Sequence, residues 1–70
     1  MSAVAAGVSL TARERAALVE VVTWSRRGAW SAAARFASDV VKALRLRGLV
    51  HGDSKLWATR AGTELINAGL

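Results

Sequence analysis

The first clear pattern runs from Ala12 to about Ser25. Ala17, Leu18, Val21, Val22 and then Trp24 or Ser25 recur at three- and four-residue spacing, so they share one side of a helix. Arg13, Arg15 and Glu20 fall off that stripe. Thr11 with Glu14 three residues on has the form of a capping box. Arg26, Arg27 and Gly28 predict the end. Two cations suit the negative end of the helix dipole, and glycine tolerates the left-handed exit. Trp24 is expected in the core.

The next segment admits two readings of equal weight. Ala33, Phe36, Ala37, Val40, Val41 and Leu44 continue the spacing with no internal Gly or Pro, as in one helix from about Ser31 to Arg47. Ser38-Asp39 also reads as a helix start, which would divide the segment into a short helix near Trp30 to Ala37 and a second from Asp39 to Arg47. Either way, Arg35, Ser38, Asp39, Lys42 and Arg45 fall within about a third of the helical wheel. Gly48 predicts the stop. Leu49-Val50-His51 then reads as a strand, Gly52-Asp53-Ser54 as a turn and Lys55 to Ala58 as the returning strand. On that return, Leu56 and Ala58 share one side, and Lys55 and Trp57 the other. Thr59 caps a last helix from Arg60 to about Asn67, stopped by Gly69. The expected core is Leu18, Val21, Val22, Phe36, Val40, Val41, Leu44, Leu49, Leu56, Leu65 and Ile66.

At 70 residues the chain holds one small domain, and 53% hydrophobic residues exclude a disordered polymer. Fifteen of the apolar residues are Ala, so the core is thin and a staple is expected. With no Cys there is no disulfide, and the single His51 builds no zinc site without thiolates beside it. No metal or cofactor is expected. Association into a homodimer is the staple that remains. The absence of Cys fits a cytoplasmic location. No apolar run approaches the ~18 residues that span a bilayer, so no membrane partner is expected. Residues 1–9 are small and apolar with no cation in front, a poor signal peptide. We read them as a flexible N-terminal arm, or a short edge strand, ahead of a domain over residues 10–70.

Ten Lys and Arg against five Asp and Glu leave a net charge of +5, and eight of those cations are Arg. The guanidinium fork suits phosphates and guanine edges, which puts nucleic acid first among acidic partners. The plain alternative is an Arg- and Ala-rich composition inherited from a GC-rich genome. An enzyme is not expected. The chain has no Gly-rich phosphate loop, nucleophile elbow or paired-acid motif.

Two runs carry a resemblance. Val41-Lys42-Ala43-Leu44-Arg45-Leu46-Arg47-Gly48-Leu49-Val50 is followed by Leu56-Trp57-Ala58-Thr59-Arg60-Ala61-Gly62. A basic helix ending in Gly-Leu-Val, then a short hairpin ending in Thr-x-x-Gly, resembles the winged helix-turn-helix domain of small bacterial or phage-type transcriptional regulators. The likeness covers roughly residues 10–67. It implies a mainly α fold with a small β-hairpin and a regulatory protein that binds double-stranded DNA. By that resemblance Arg35, Ser38, Lys42 and Arg45 face DNA. Asp39 accepts from cytosine or neutralises Arg35. Lys55, His51 and Arg60 are wing and phosphate contacts, and Arg26 and Arg27 touch the backbone at the inter-helix turn. The ordinary readings of the same residues are a solvated helix side, plain surface and dipole capping.

A second reading stays open. Only Ser25 to Ala34 separates the first helix from the segment aligned with the recognition helix. Trp30 follows a turn, and Trp57 lies opposite Leu56 on its strand, so both are candidates for a partner surface. These features favour a protein-interaction module, or a phage-type inhibitor of a host protein, on the same fold.

Overall fold

The computed structural model describes residues 10–68. The expected arm at residues 1–9 and the stop at Gly69 lie outside them. Helix α1 (Ala12–Arg26) is followed by strand β1 (Ser31–Ala32), a single 3-10 turn (Ala33–Arg35) and helix α2 (Ser38–Leu46). Strands β2 (Val50–His51) and β3 (Lys55–Ala58) and helix α3 (Arg60–Asn67) complete the described chain. This is a mainly helical domain with three helices and one antiparallel sheet in the order β1-β3-β2. No helix among the described residues is long and apolar enough to cross a membrane.

The start of α1 matches its sequence signature. Thr11 Oγ1 accepts from Glu14 N at 3.1 Å, and Glu14 Oε1 accepts from Thr11 N at 3.0 Å. At the other end Gly28 N donates to the Ser25 carbonyl and Ala29 N to the Trp24 carbonyl, each at 3.0 Å. That pair of bonds closes the helix through the left-handed Gly28, at φ 76°.

The segment after Gly28 divides, but not into two helices. Ser31 pairs with Leu56 and Ala32 with Lys55, which adds a third strand to the expected two-stranded hairpin. Ala33 N also donates to the Ser54 carbonyl at 2.9 Å. The backbone of this stretch is satisfied by the edge of β3, so the helix expected near Trp30 to Ala37 shrinks to one turn. Phe36 (ψ 156°) and Ala37 (ψ 140°) are extended, and α2 begins at Ser38. Ala37, not Ser38, is the N-cap, and it supplies no side-chain bond.

Helix α1 packs on α2, α3 and β3. Leu18, Val21 and Val22 from α1 meet Val40, Val41 and Leu44 from α2, with Leu49, Leu56 and Leu65 closing the cluster. Ala17 and Val50 join it, while Phe36 and Ile66 pack against it partly buried. Trp24 does not belong there: it is 42% exposed. Ser25 takes the core-facing position instead, about 100° further round the helix. Its Oγ accepts from Ala58 N at 2.9 Å, which binds the end of α1 to β3.

Helix α3 is held against the exit of α2. Thr59 Oγ1 accepts from Gly62 N at 3.1 Å and donates to the Gly48 carbonyl at 2.6 Å. Thr59 N donates to the Leu49 carbonyl at 3.1 Å. A methyl group on Gly62 would stand 2.2 Å from that same Leu49 oxygen, so only glycine allows the approach.

Candidate nucleic-acid interface

Helix α2 and the hairpin turn form the candidate surface. Along α2 the exposed positions are Ser38, Asp39, Lys42, Arg45 and Leu46, the last 79% exposed. Arg45 is not free on that face. Its Nε donates to the Gly52 carbonyl at 3.0 Å, its Nη2 donates to the Asp53 carbonyl, and the Asp53 carboxylate lies 3.8 Å away. The guanidinium fork therefore reads the carbonyls of a tight turn and fastens the β2–β3 turn to the helix.

Arg35 departs from its expected company. The wheel grouped it with Ser38 and Lys42 whether the segment was one helix or two, but a single 3-10 turn and the extended Phe36 and Ala37 end that phase relation. Arg35 turns to α1, where its Nε lies 2.8 Å from Glu20 Oε2. The structure thus keeps Ser38, Lys42 and Arg45 on one helix and separates Arg35 from them.

The remaining expected contacts are also placed. Arg26 donates to Asn67 Oδ1, which joins the ends of α1 and α3. Arg27 sits over the Trp24 ring at 5.4 Å, and Lys55 over the Trp30 ring at 5.0 Å. Arg60 pairs with Glu64 at 3.2 Å one helical turn away, in full solvent. His51 is exposed on β2 and pairs in register with the half-buried Trp57. Arg47, outside the expected set, reaches Glu14 Oε1 at 3.2 Å and joins the exit of α2 to the start of α1.

Ion pairing sorts the charge. Glu14, Glu20, Asp53 and Glu64 are each within 4.0 Å of an Arg. Among the described residues Arg13, Arg15, Arg26, Arg27, Lys42 and Lys55 make no ion pair, and Lys42 stands in the middle of the exposed α2 face.

Two concave features flank this surface. A groove of about 650 Å³ lies between β1, α2 and the hairpin turn, with Trp30, Phe36 and Val41 as its large apolar walls and Arg45 and Lys55 at its rim. A smaller cleft of about 300 Å³ lies between Trp24 and Trp30 and is lined also by Glu20, Ser31 and Arg35. Sequence reasoning missed this cleft because it placed Trp24 in the core. The available signal was the competition between Trp24 and Ser25 for the last core position of α1.

No protein-family model, curated protein or solved structure matches this chain.

Proposed function

We propose that this protein is a winged helix-turn-helix regulator that binds double-stranded DNA through α2 and the β2–β3 wing. The observation that carries the reading is the fastening of the wing turn to α2 by Arg45. It joins helix and wing, and Ser38, Arg45 and Lys55 line one groove beside them. The element order supports the same reading, as does the Gly48 exit that leads directly into the wing.

In this reading α2 lies in the major groove and Lys42 makes the leading contact. Arg45 positions the wing, and Lys55 with the exposed Arg13 and Arg15 supplies phosphate attraction. One helix of nine residues and a short wing cover few phosphates, so a homodimer on two half-sites is the working form.

The test is fluorescence anisotropy of a labelled mixed-sequence duplex at several salt concentrations. Affinity falling steeply with salt is expected. Absence of binding at low salt would overturn the DNA reading. A protein-interaction module, such as an inhibitor of a host protein, is the second reading, and the apolar groove beside Trp30 and Phe36 favours it.

A further inference from the structure

The cleft between Trp24 and Trp30 has a composition that neither the α2 face nor the groove shares. Its walls are two indole rings, which are 42% and 46% exposed. Arg27 sits over the Trp24 ring and Lys55 over the Trp30 ring, and neither residue lines the cleft.

The cleft's polar groups are incompletely used. Ser31 is 3% exposed, and its Oγ has no hydrogen-bond partner among the described residues. Glu20 Oε2 is equally hidden, and the Arg35 guanidinium holds it with Nε 2.8 Å away. A buried hydroxyl left without a partner costs stability, so Ser31 is the group of this cleft whose hydrogen bonding stands open. The Arg35 side chain is itself 63% exposed.

We infer that this cleft captures one unpaired nucleobase of a single-stranded nucleic acid. A flat heterocycle stacks on the indole surfaces, as bases do on aromatic platforms. An exocyclic amino group donates to the Glu20 carboxylate in place of Arg35, and the Ser31 hydroxyl meets a neighbouring ring acceptor. When Arg35 swings away from Glu20 it turns to the adjoining phosphate, joined by Arg27 and Lys55. The acceptor-only carboxylate selects against thymine, whose Watson–Crick edge places a carbonyl on each side of its single donor. Cytosine and adenine, each with an amino donor beside a ring acceptor, are the preferred bases, and cytosine is the one compared with thymine at equal ring size. The choice of nucleic acid as ligand rests on the function proposed above, but the site and the strand form are separate from it.

The experiment compares labelled short oligo(dC), oligo(dT) and mixed duplex by anisotropy, with the protein and its variants. Oligo(dC) is expected to bind more tightly than oligo(dT). Trp24→Ala and Trp30→Ala should each weaken it about tenfold or more. Glu20→Gln should narrow the preference for dC over dT. Ser31→Ala should weaken oligo(dC) without lowering the urea midpoint, since it removes an unpartnered hydroxyl. Lys42→Ala should spare oligo(dC) and weaken the duplex. In the unaltered protein, oligo(dC) should shift the indole N–H resonances of Trp24 and Trp30 more than that of Trp57. Equal loss of duplex and single-strand binding in the Trp variants would overturn the inference. So would unmoved Trp24 and Trp30 resonances. Single-strand binding without duplex binding would support the cleft and refute the function proposed above.

Discussion

Arg45 Nε donates to the carbonyl oxygen of Gly52 at 3.0 Å, across the space between α2 and the β2–β3 turn. A residue that the helical wheel assigns to solvent is thereby a structural tie. Its side chain is still 37% exposed, which limits what the bond contributes. Arg45→Ala should lower stability by about 1 kcal/mol. It should speed amide exchange at Asp53 to Lys55 more than in α1, as hydrogen-exchange mass spectrometry would resolve. Unchanged exchange in the turn would show that the wing holds its place without the tie.

Lys42 offers the cleanest separation of binding from folding. It is exposed in mid-helix and makes no ion pair among the described residues. Lys42→Ala should leave the urea midpoint unchanged and weaken duplex binding. It should also reduce the slope of log K against log salt by about 1. An unchanged slope would remove Lys42 from the interface.

Gly48 and Gly62 test two different demands for glycine. Gly48 has φ 71° with nothing within 4 Å of an added methyl, so Gly48→Ala costs only backbone strain, about 1 kcal/mol. Gly62→Ala drives a methyl to 2.2 Å from the Leu49 carbonyl and must displace α3. It should cost about 3 kcal/mol. Urea denaturation of both variants gives the order directly, and the reverse order would mean that α3 does not sit on Leu49.

A fully buried and an exposed side chain make a further comparison. Leu56 is 0% exposed, and Leu56→Ala should cost about 2–5 kcal/mol, enough to unfold much of so small a domain. Trp24→Ser, at 42% exposure, should cost about 1 kcal/mol or less despite removing the larger side chain. Thermal melts that rank Trp24 as the more damaging loss would return it to the core, where the sequence stripe placed it.

Thr59 joins two jobs, since it caps α3 and donates to the Gly48 carbonyl at 2.6 Å. Thr59→Ala should cost about 1–2 kcal/mol. Thr59→Ser, which keeps the hydroxyl, should recover most of that. Equal loss in the two variants would show that the methyl group, not the hydroxyl, matters.

Where the chain's own local chemistry is decisive, sequence and structure agree. The Thr11–Glu14 box, the Gly28 and Gly48 exits, the β2–β3 hairpin and the Thr59 cap all depend on residues a few positions apart, so their partners are written next to them. The buried stripe of α1 and α2 follows equally from spacing, because burial repeats with the helical period. What tertiary structure decided lies where distant groups compete for the same backbone or the same space. Ser31 and Ala32 became a strand because Leu56 and Lys55, more than twenty residues later, presented open hydrogen-bonding groups. That pairing ended the helical phase before Ala37 and sent Arg35 to Glu20. Trp24 stands outside beside Trp30 because Ser25 holds the last core-facing position of α1, against Ala58. Periodicity says which residues share a face only while the helix is unbroken. The Ser38-Asp39 helix start offered the break, and the pairing of Ser31 and Ala32 with β3 chose it over the continuous helix, a choice between two locally equal patterns that only distant contacts decide.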